Sequence, residues 1–517
     1  MATLFNIVQS SYEVMFKYRG RAVLWMYSGG RSASALPGPR GLPFLGSLLD
    51  VDTSRFHHVC SRWSRHYGKI FQFRLAGQSV VVVTDAGLLR RLFATGQISH
   101  HTNDRADNVT KHVFYGRKHI GFADLGERTN ELRSILRRKV LNRLMCDRNF
   151  ENTCFSIIDK LAHGLNHESV NPDTLIKDVI QELNSFVLIG EALPADDPDK
   201  DALWEFIERL YDLLQPAVDV PLRMFPWLRF LPFKHGRLFR AAIESRDRVS
   251  RKYFDTQKAS YEAGRVRGLV DVCLQIQAEE GTTSGDQAWL SDDYIRGLMF
   301  DTVLAGMSEM MKSMRMLILL MCHYPHVQSR VHAEINDVIG TSAMPSSNHR
   351  MEMPYTQAVL LEMLRYVSQT PLAIPHKCNK DVVLDGFVIE KDSGIFPNIF
   401  GIHHDEAIWG DPWCFRPERF LTHDGYSLLP EDHKLRQSLI PFSVGRRRCP
   451  GEDFAMTRLF LVLTSLIQKL HFLPPSSGEL PSADPRLYNN QYPLYLPVFT
   501  CKAVRRPVMD AQTESQS

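Results

Sequence analysis

The sequence predicts a mainly α fold with a smaller β-rich part, and three observations carry that reading. Most segments from about residue 86 to 335 place apolar side chains at helical spacing. One of them, LSDDYIRGLMFDTVLAGMSEMMKSMRMLILLMCHY, is apolar nearly all round, as expected of a helix enclosed by the rest of the fold. After residue 370 the texture changes to short runs and turns, as in DVVLDGFVIEKDSGIF. A chain of 517 residues with 44% hydrophobic content can bury a large core. Its net charge of only +3 excludes a bulk electrostatic case for nucleic acid, and no such partner is expected.

Residues 1–34 begin MATLFNIVQSSYEVMFKYRGRAVLWMY, which Gln9, Glu13, Lys17, Arg19 and Arg21 interrupt. No run of ~18 apolar residues exists there for a clean membrane span. An interfacial anchor helix fits the composition. A basic targeting presequence is the alternative, with Glu13 against it. Residues 35–46, ALPGPRGLPFLG, combine prolines that fix φ with glycines that permit sharp turns. They predict a stiff hinge between that segment and a body at 47–505, which a polar tail at 506–517 follows.

Within the body, IFQFRL and QSVVVVTD (70–75 and 78–85) have strand composition around an Ala-Gly-Gln turn. Ser291 suits the N-cap of the long apolar helix, and Asp292 and Asp293 suit its positive end. Pro325 marks the other boundary. That predicts a central helix of roughly nine turns. Loops dominate 401–450, and a last helix is expected just after Cys449, through about Leu470.

The nine cysteines include no CxxC pair, and nine is odd, so a reducing compartment is favoured over a disulfide framework. Cys449 differs from the rest in its setting, FSVGRRRCPG at 442–451. Helix N–H groups and arginines there favour thiolate over thiol. Gly445 and Gly451 allow close approach of something flat, and Phe442 can shield the sulfur. A lone thiolate suits a metal held mostly by another chelator, and haem iron fits. A nucleophilic cysteine or a buried structural thiol remain as local alternatives.

The pattern F-x-x-G-x-R-x-C-x-G, carried by Phe442, Gly445, Arg447, Cys449 and Gly451, resembles the haem-binding signature of the cytochromes P-450. EMLR at Glu362–Arg365, RPERF at Arg416–Phe420 and PGPRGLP at 37–43 resemble three further family motifs, in the family's order. The resemblance covers about 36 to 500. It implies haem b as cofactor, with Cys449 as the axial ligand to the metal. It also implies a buried cluster of Glu362, Arg365 and Arg419 that locks the loop holding the thiolate. Glu362 and Arg365 are three apart and share a helix face. Arg447, Arg133 and His376 match positions that bind the haem propionates. Arg133 lies in ERTNELRSILRR, where Thr129 stands at a position the family fills with tryptophan.

The distal motif departs from the family. AGMSE at 305–309 has Ala305 and Gly306 in place, with Gly306 expected to leave room for oxygen. Ser308 stands where the family has an acid and Glu309 where it has threonine. One helical step turns a side chain by ~100°, so Glu309 is expected to face the pocket and Ser308 to turn aside. A glutamate beside an apolar pocket has a raised pKa and can act as a general acid. Pairing with a basic substrate is an alternative role, and a local helical bulge would restore the usual order.

The resemblance is strongest to the animal microsomal group. It implies a monooxygenase that inserts one atom of O₂ into a lipophilic substrate of steroid, fatty-acid or xenobiotic class. Electrons would come from NADPH through a flavoprotein reductase, with Arg446 and Arg448 on a basic docking face. The implied location is the cytosolic face of the endoplasmic reticulum membrane, with mitochondria as the alternative. RMFPWLRFLPF at 223–233 is an aromatic patch that in that group meets the membrane surface. Two other functions stay open: a reductase-independent haem-thiolate enzyme (peroxygenase, isomerase or dehydratase), and a non-catalytic haem sensor or carrier.

Overall fold

The structure is a computed structural model. It describes residues 35–507 apart from 43–44, 76, 165–168, 195, 280–288, 490–493 and 495–496. The predicted anchor or targeting segment at 1–34 lies outside the described residues, as does 508–517 of the polar tail.

The first elements are α1 (Phe56–Tyr67), β1 (Ile70–Leu75), β2 (Gln78–Val83) and α2 (Ala86–Phe93). β1 and β2 form the expected antiparallel hairpin, with Ile70 opposite Val83 and Leu75 opposite Gln78. Alternation along the strands divides their side chains between two apolar clusters. Phe71, Phe73, Val80 and Val82 pack with Cys60. Val81 and Val83 pack with Leu36, Leu89 and Phe93.

The proline-rich segment is no free hinge. Gln72 N–H donates to Pro37 O at 2.8 Å and Ser47 N–H to Arg74 O at 2.8 Å, so the segment is docked along β1. A Cβ on Gly38, at φ +154°, would lie 1.9 Å from Gln72 O. Glycine is needed for that backbone contact rather than for bending.

β3 (Asp104–Arg105) precedes a helical series: α3 (Glu127–Ser134), α4 (Arg148–Gly164), α5 (Pro172–Ile189), α6 (Ala202–Leu214), α7 (Pro216–Met224), α8 (Lys234–Ser250) and α9 (Leu269–Glu279). The long apolar stretch is α10 (Asp292–Val303), a π turn at Leu304–Glu309, and α11 (Met310–His323). The predicted nine-turn helix is therefore interrupted at the AGMSE motif. Ser291 occupies the N-cap position, but its hydroxyl makes no capping bond and is buried without a partner among the described residues. α12 (Pro325–Val338) and α13 (Pro354–Val367) follow, each with proline in its first turn, where no intrahelical N–H is lost.

The β-rich part follows as expected with β4 (His376–Lys377), β5 (Val382–Leu384), β6 (Phe387–Ile389) and β7 (Gly394–Pro397). One sheet has the order β1-β2-β7-β4-β3, with β2 and β7 parallel. The last helix, α14 (Glu452–Lys469), leads into β8 (Leu470–Leu473), which pairs with β9 (Lys502–Arg505). α10, α11, α13 and α14 supply much of the main core.

Candidate active site

The loop before α14 is held at both ends. A Cβ on Gly445, at φ +75°, would meet Phe93 O at 2.3 Å, so glycine lets the loop touch the end of α2. Cys449 N–H donates to Phe442 O at 2.9 Å, and Gly451 sits at the N-cap of α14. Cys449 is only partly enclosed by protein, and Phe442 beside it is likewise half-buried. The expected electrostatics need correction. Burial pushes the Cys449 thiol above its ordinary range. The Gly451 N–H, Arg133 and Arg448 pull it down, and Glu452 pushes it up. Desolvation outweighs the nearby arginines, and a coordinated metal cation would favour the thiolate.

Behind this loop lies the charged cluster. Arg365 Nε and Nη2 each donate to Glu362 at 2.8 Å, a two-point pair with neither side chain exposed. Arg419 Nε reaches Glu362 Oε1 at 3.3 Å, and Arg416 N–H donates to the same oxygen at 2.9 Å. The remaining donors of Arg365 go to His403 O at 2.9 Å and Pro412 O at 2.8 Å. Arg419 Nη1 donates to Trp409 O at 2.6 Å. Such charges are stable in the interior only when paired and hydrogen-bonded in this way. His403 extends the network to the loop: its Nε2 accepts from Ile440 N–H at 3.0 Å.

Arg447 is almost fully buried. Its Nη2 donates to Ala123 O at 2.7 Å and Gly121 O at 3.2 Å. Its Nε and Nη1 are buried without a partner among the described residues. A buried cation with two free donors calls for an anion, and a propionate has the matching charge and two oxygens. His376 stacks on Phe93 with ring centroids 3.7 Å apart, and its Nδ1 faces Thr102 O at 3.0 Å. Arg133 donates to Arg448 O. Arg105, which sequence reasoning missed, donates to Gly121 O at 3.1 Å and Ile374 O at 2.7 Å. Thr129 bonds back to Asp124 O at 2.9 Å, so its hydroxyl serves the local turn. These residues fit haem: a half-enclosed sulfur on a helix N-terminal loop, with buried cationic donors left over.

The family model for cytochrome P450 matches residues 36–498. The chain is a cytochrome P450. Curated relatives include cytochrome P450 2D27 of Mesocricetus auratus, 29% identical, covering 86% of this chain and 88% of the relative. Cytochrome P450 2J1 of Oryctolagus cuniculus is 28% identical, covering 86% and 87%. Steroid 17-alpha-hydroxylase/17,20 lyase of Oryzias latipes is 28% identical, covering 90% of each. This cytochrome P450 is a haem-thiolate monooxygenase with haem b as its cofactor.

Its distal side is built on the π turn. Ala305 is exposed in a helix whose neighbours Val303, Met307 and Ser308 are buried, the pattern expected of the face that meets the haem. Gly306 differs from expectation. A Cβ there would meet Asn184 Oδ1 at 2.5 Å and Arg458 Nη1 at 3.4 Å, so glycine is required by packing behind the helix. Ala305 supplies the small side chain on the open face.

The bulge does not return Ser308 to the cavity. Ser308 Oγ donates to Leu304 O at 2.7 Å and lies 2.6 Å from the Tyr211 hydroxyl of α6. A serine has one hydrogen; given to Leu304 O, it leaves Ser308 as acceptor from Tyr211. Glu309 shares the face of Ala305, four residues earlier. Its surroundings are polar, contrary to the expected apolar wall. Oε1 pairs with Lys312 Nζ at 3.2 Å, and Oε2 accepts from Gln369 at 3.0 Å and Thr370 at 3.3 Å. Lys312 sits 5.0 Å over the Tyr211 ring. No spacing rule marks Tyr211, Gln369 or Thr370; α6 and the loop after α13 bring them to the helix.

Proposed function

We propose that Cys449 is the axial ligand of haem b and that the enzyme oxygenates a lipophilic small molecule. Electrons reach it from NADPH through a flavoprotein reductase. The observation that carries the assignment is Arg447: a buried guanidinium with two free donors beside the half-enclosed Cys449 loop. Arg447 would hold one propionate, with Arg133 and His376 beside it. Phe442 covers the sulfur, and Gly445 and Gly451 set the loop against α2 and α14. The Glu362, Arg365 and Arg419 cluster keeps that loop in register.

When bound, haem b activates dioxygen, and its cysteine ligand favours O–O cleavage by donating electron density. The protein must then supply protons and exclude bulk water. Glu309 takes the proton-handling role on the cavity face. Gln369 and Thr370 orient its carboxylate, and Lys312 balances its charge. Ser308 is the support: its hydroxyl lies 2.7 Å from Leu304 O and 3.5 Å from Glu309 Oε1.

A relative named for steroid hydroxylation supports a lipophilic substrate. Among the described residues no helix is long and apolar enough to cross a membrane. Two exposed apolar stretches support attachment at the endoplasmic reticulum surface: Leu42, Leu45, Leu48 and Leu49, and Met224, Phe225, Phe230 and Phe233. The reductase-docking face is of mixed charge. Arg448 pairs with Glu452, Arg446 bonds His100 at 2.9 Å, and Glu127 and Glu131 line the adjoining groove.

The test is reconstitution with an NADPH flavoprotein reductase and a panel of steroids and fatty acids. NADPH, O₂ and released peroxide are followed together. Substrate-stimulated NADPH use with little peroxide is expected. Electron flow ending only in peroxide, or none, would overturn the reading.

A further inference from the structure

Side chains serve the carbonyls of the π turn at Leu304–Glu309. Ser308 Oγ donates to Leu304 O at 2.7 Å, and Ser313 Oγ donates to Glu309 O at 2.9 Å. Two donors come from distant parts of the chain: Gln369 Nε2 donates to Glu309 O at 3.4 Å, and Arg458 Nη1, on α14, donates to Gly306 O at 3.2 Å. A π turn breaks the regular ladder, so carbonyls beside it need donors from elsewhere.

Arg458 is an unusual donor. It is 3% exposed, and its Nε and Nη2 have no partner among the described residues. Its guanidinium lies 5.5 Å from the Phe454 ring centroid. Burial lowers its pKa to about 10, so it remains a cation at neutral pH. The ionisable group that acts on it is Cys154 of α4, a buried thiol pushed up to about 12 and therefore neutral. Asn184 of α5 is fully buried beside Gly306, and both its amide atoms also lack partners. An interior charge left in this state is costly. Its one strong bond ends on the carbonyl of the distal motif.

We propose that Arg458 is a positioning residue, seated beside Asn184, that clamps the Gly306 carbonyl from behind the central helix. The clamp holds the π turn that presents Ala305 and Glu309 to the cavity. Arg458 touches neither substrate nor cofactor in this role; it acts through the backbone of Gly306. Gly306 is a glycine so that the helix can approach both side chains.

Asn184→Asp separates this role from mere packing. The new carboxylate pairs with the guanidinium and draws it from the Gly306 carbonyl. Holoenzyme melting temperature should hold or rise. Amide exchange over 304–309 should quicken by about tenfold in the same variant. Arg458→Met should quicken exchange likewise, and Arg458→Lys, which retains a donor, should lie between. The catalytic readout rests on the monooxygenase reading: peroxide released per NADPH should rise about twofold or more in Asn184→Asp. Wild-type protein that consumes no NADPH would count against that reading alone, because exchange still reports on the clamp. Where Arg458→Met does not fold, Asn184→Asp and Arg458→Lys carry the test. Exchange over 304–309 unchanged from wild type in the variants that fold would overturn the proposal.

Discussion

Glu309 Oε1 and Lys312 Nζ lie 3.2 Å apart, one helical turn from each other, and form an ion pair beside the cofactor cavity. The carboxylate stands at the position this family fills with a hydroxyl. It is therefore anchored rather than free, with Gln369 and Thr370 on its other oxygen. Glu309→Gln keeps the size and removes the titratable carboxyl group that can take up and release a proton. Product formed per NADPH should fall by about tenfold or more, the scale of a lost general acid. The measurement is product, NADPH and peroxide in one reconstituted assay, and unchanged coupling would eliminate Glu309 as donor.

Tyr211 and Ser308 make a chain from α6 to the central helix, and both lose their purpose together. Tyr211→Phe and Ser308→Ala should each lower unfolding free energy by about 0.5–1.5 kcal/mol. The double variant should cost less than the sum, because the two residues share one hydrogen bond. Urea unfolding of the four proteins supplies the cycle; full additivity would mean that the 2.6 Å contact carries no energy.

Glu362 balances two guanidinium groups in a region without solvent. Glu362→Gln leaves both charges buried without that partner, which should cost about 3–5 kcal/mol. The expected result is a low yield of haem-loaded protein by carbon monoxide difference spectrum and a lower urea midpoint. Normal loading with an unchanged midpoint would show that the cluster is dispensable.

Arg447→Leu tests the propionate assignment. Two of the three guanidinium nitrogens of Arg447 lack partners, so the haem-free protein should be no less stable without the charge. Haem transfer to an acceptor apoprotein should quicken by about tenfold or more, as expected for loss of a charge-assisted pair. Equal transfer rates in wild type and variant would remove Arg447 from the haem site.

Acid should unfold this protein early. Burial pushes His57 down from 6.5 to about 2 and holds His403 well below 6.5. The unfolded chain then binds protons that the native state refuses, so stability is complete above pH 6.5 and falls as pH drops below it. Each histidine contributes a slope of about 1.4 kcal/mol per pH unit across that window. Urea unfolding at several pH values should show His57→Phe with a shallower decline than wild type. An identical slope would mean that His57 is not protonated on unfolding.

The chemistry of this enzyme was legible in local sequence wherever one short segment carries it. The Cys449 loop, the three-residue spacing of Glu362 and Arg365 and the β1–β2 hairpin depend on neighbours within a few positions. The periodicity of residues 291–325 also marked the central helix as enclosed. Local pattern could not show the π turn inside that helix, because groups far apart in the sequence complete it. Arg458 reaches Gly306 from α14, and Tyr211 reaches Ser308 from α6. The proline-rich segment read as a hinge because its composition is stiff; its docking on β1 depends on the Gln72 and Arg74 backbone. Burial likewise outweighs the expected pull of the Gly451 N–H and the arginines on Cys449, since a short segment does not reveal how much water its neighbours exclude. Sequence by itself therefore determined the family, the candidate loop around Cys449 and the members of the charged cluster. Tertiary structure alone decided which face of the distal motif meets the cavity and which side chains hold it there. Hydrogen bonds across distant helices set that geometry, and they leave no periodic trace in the chain.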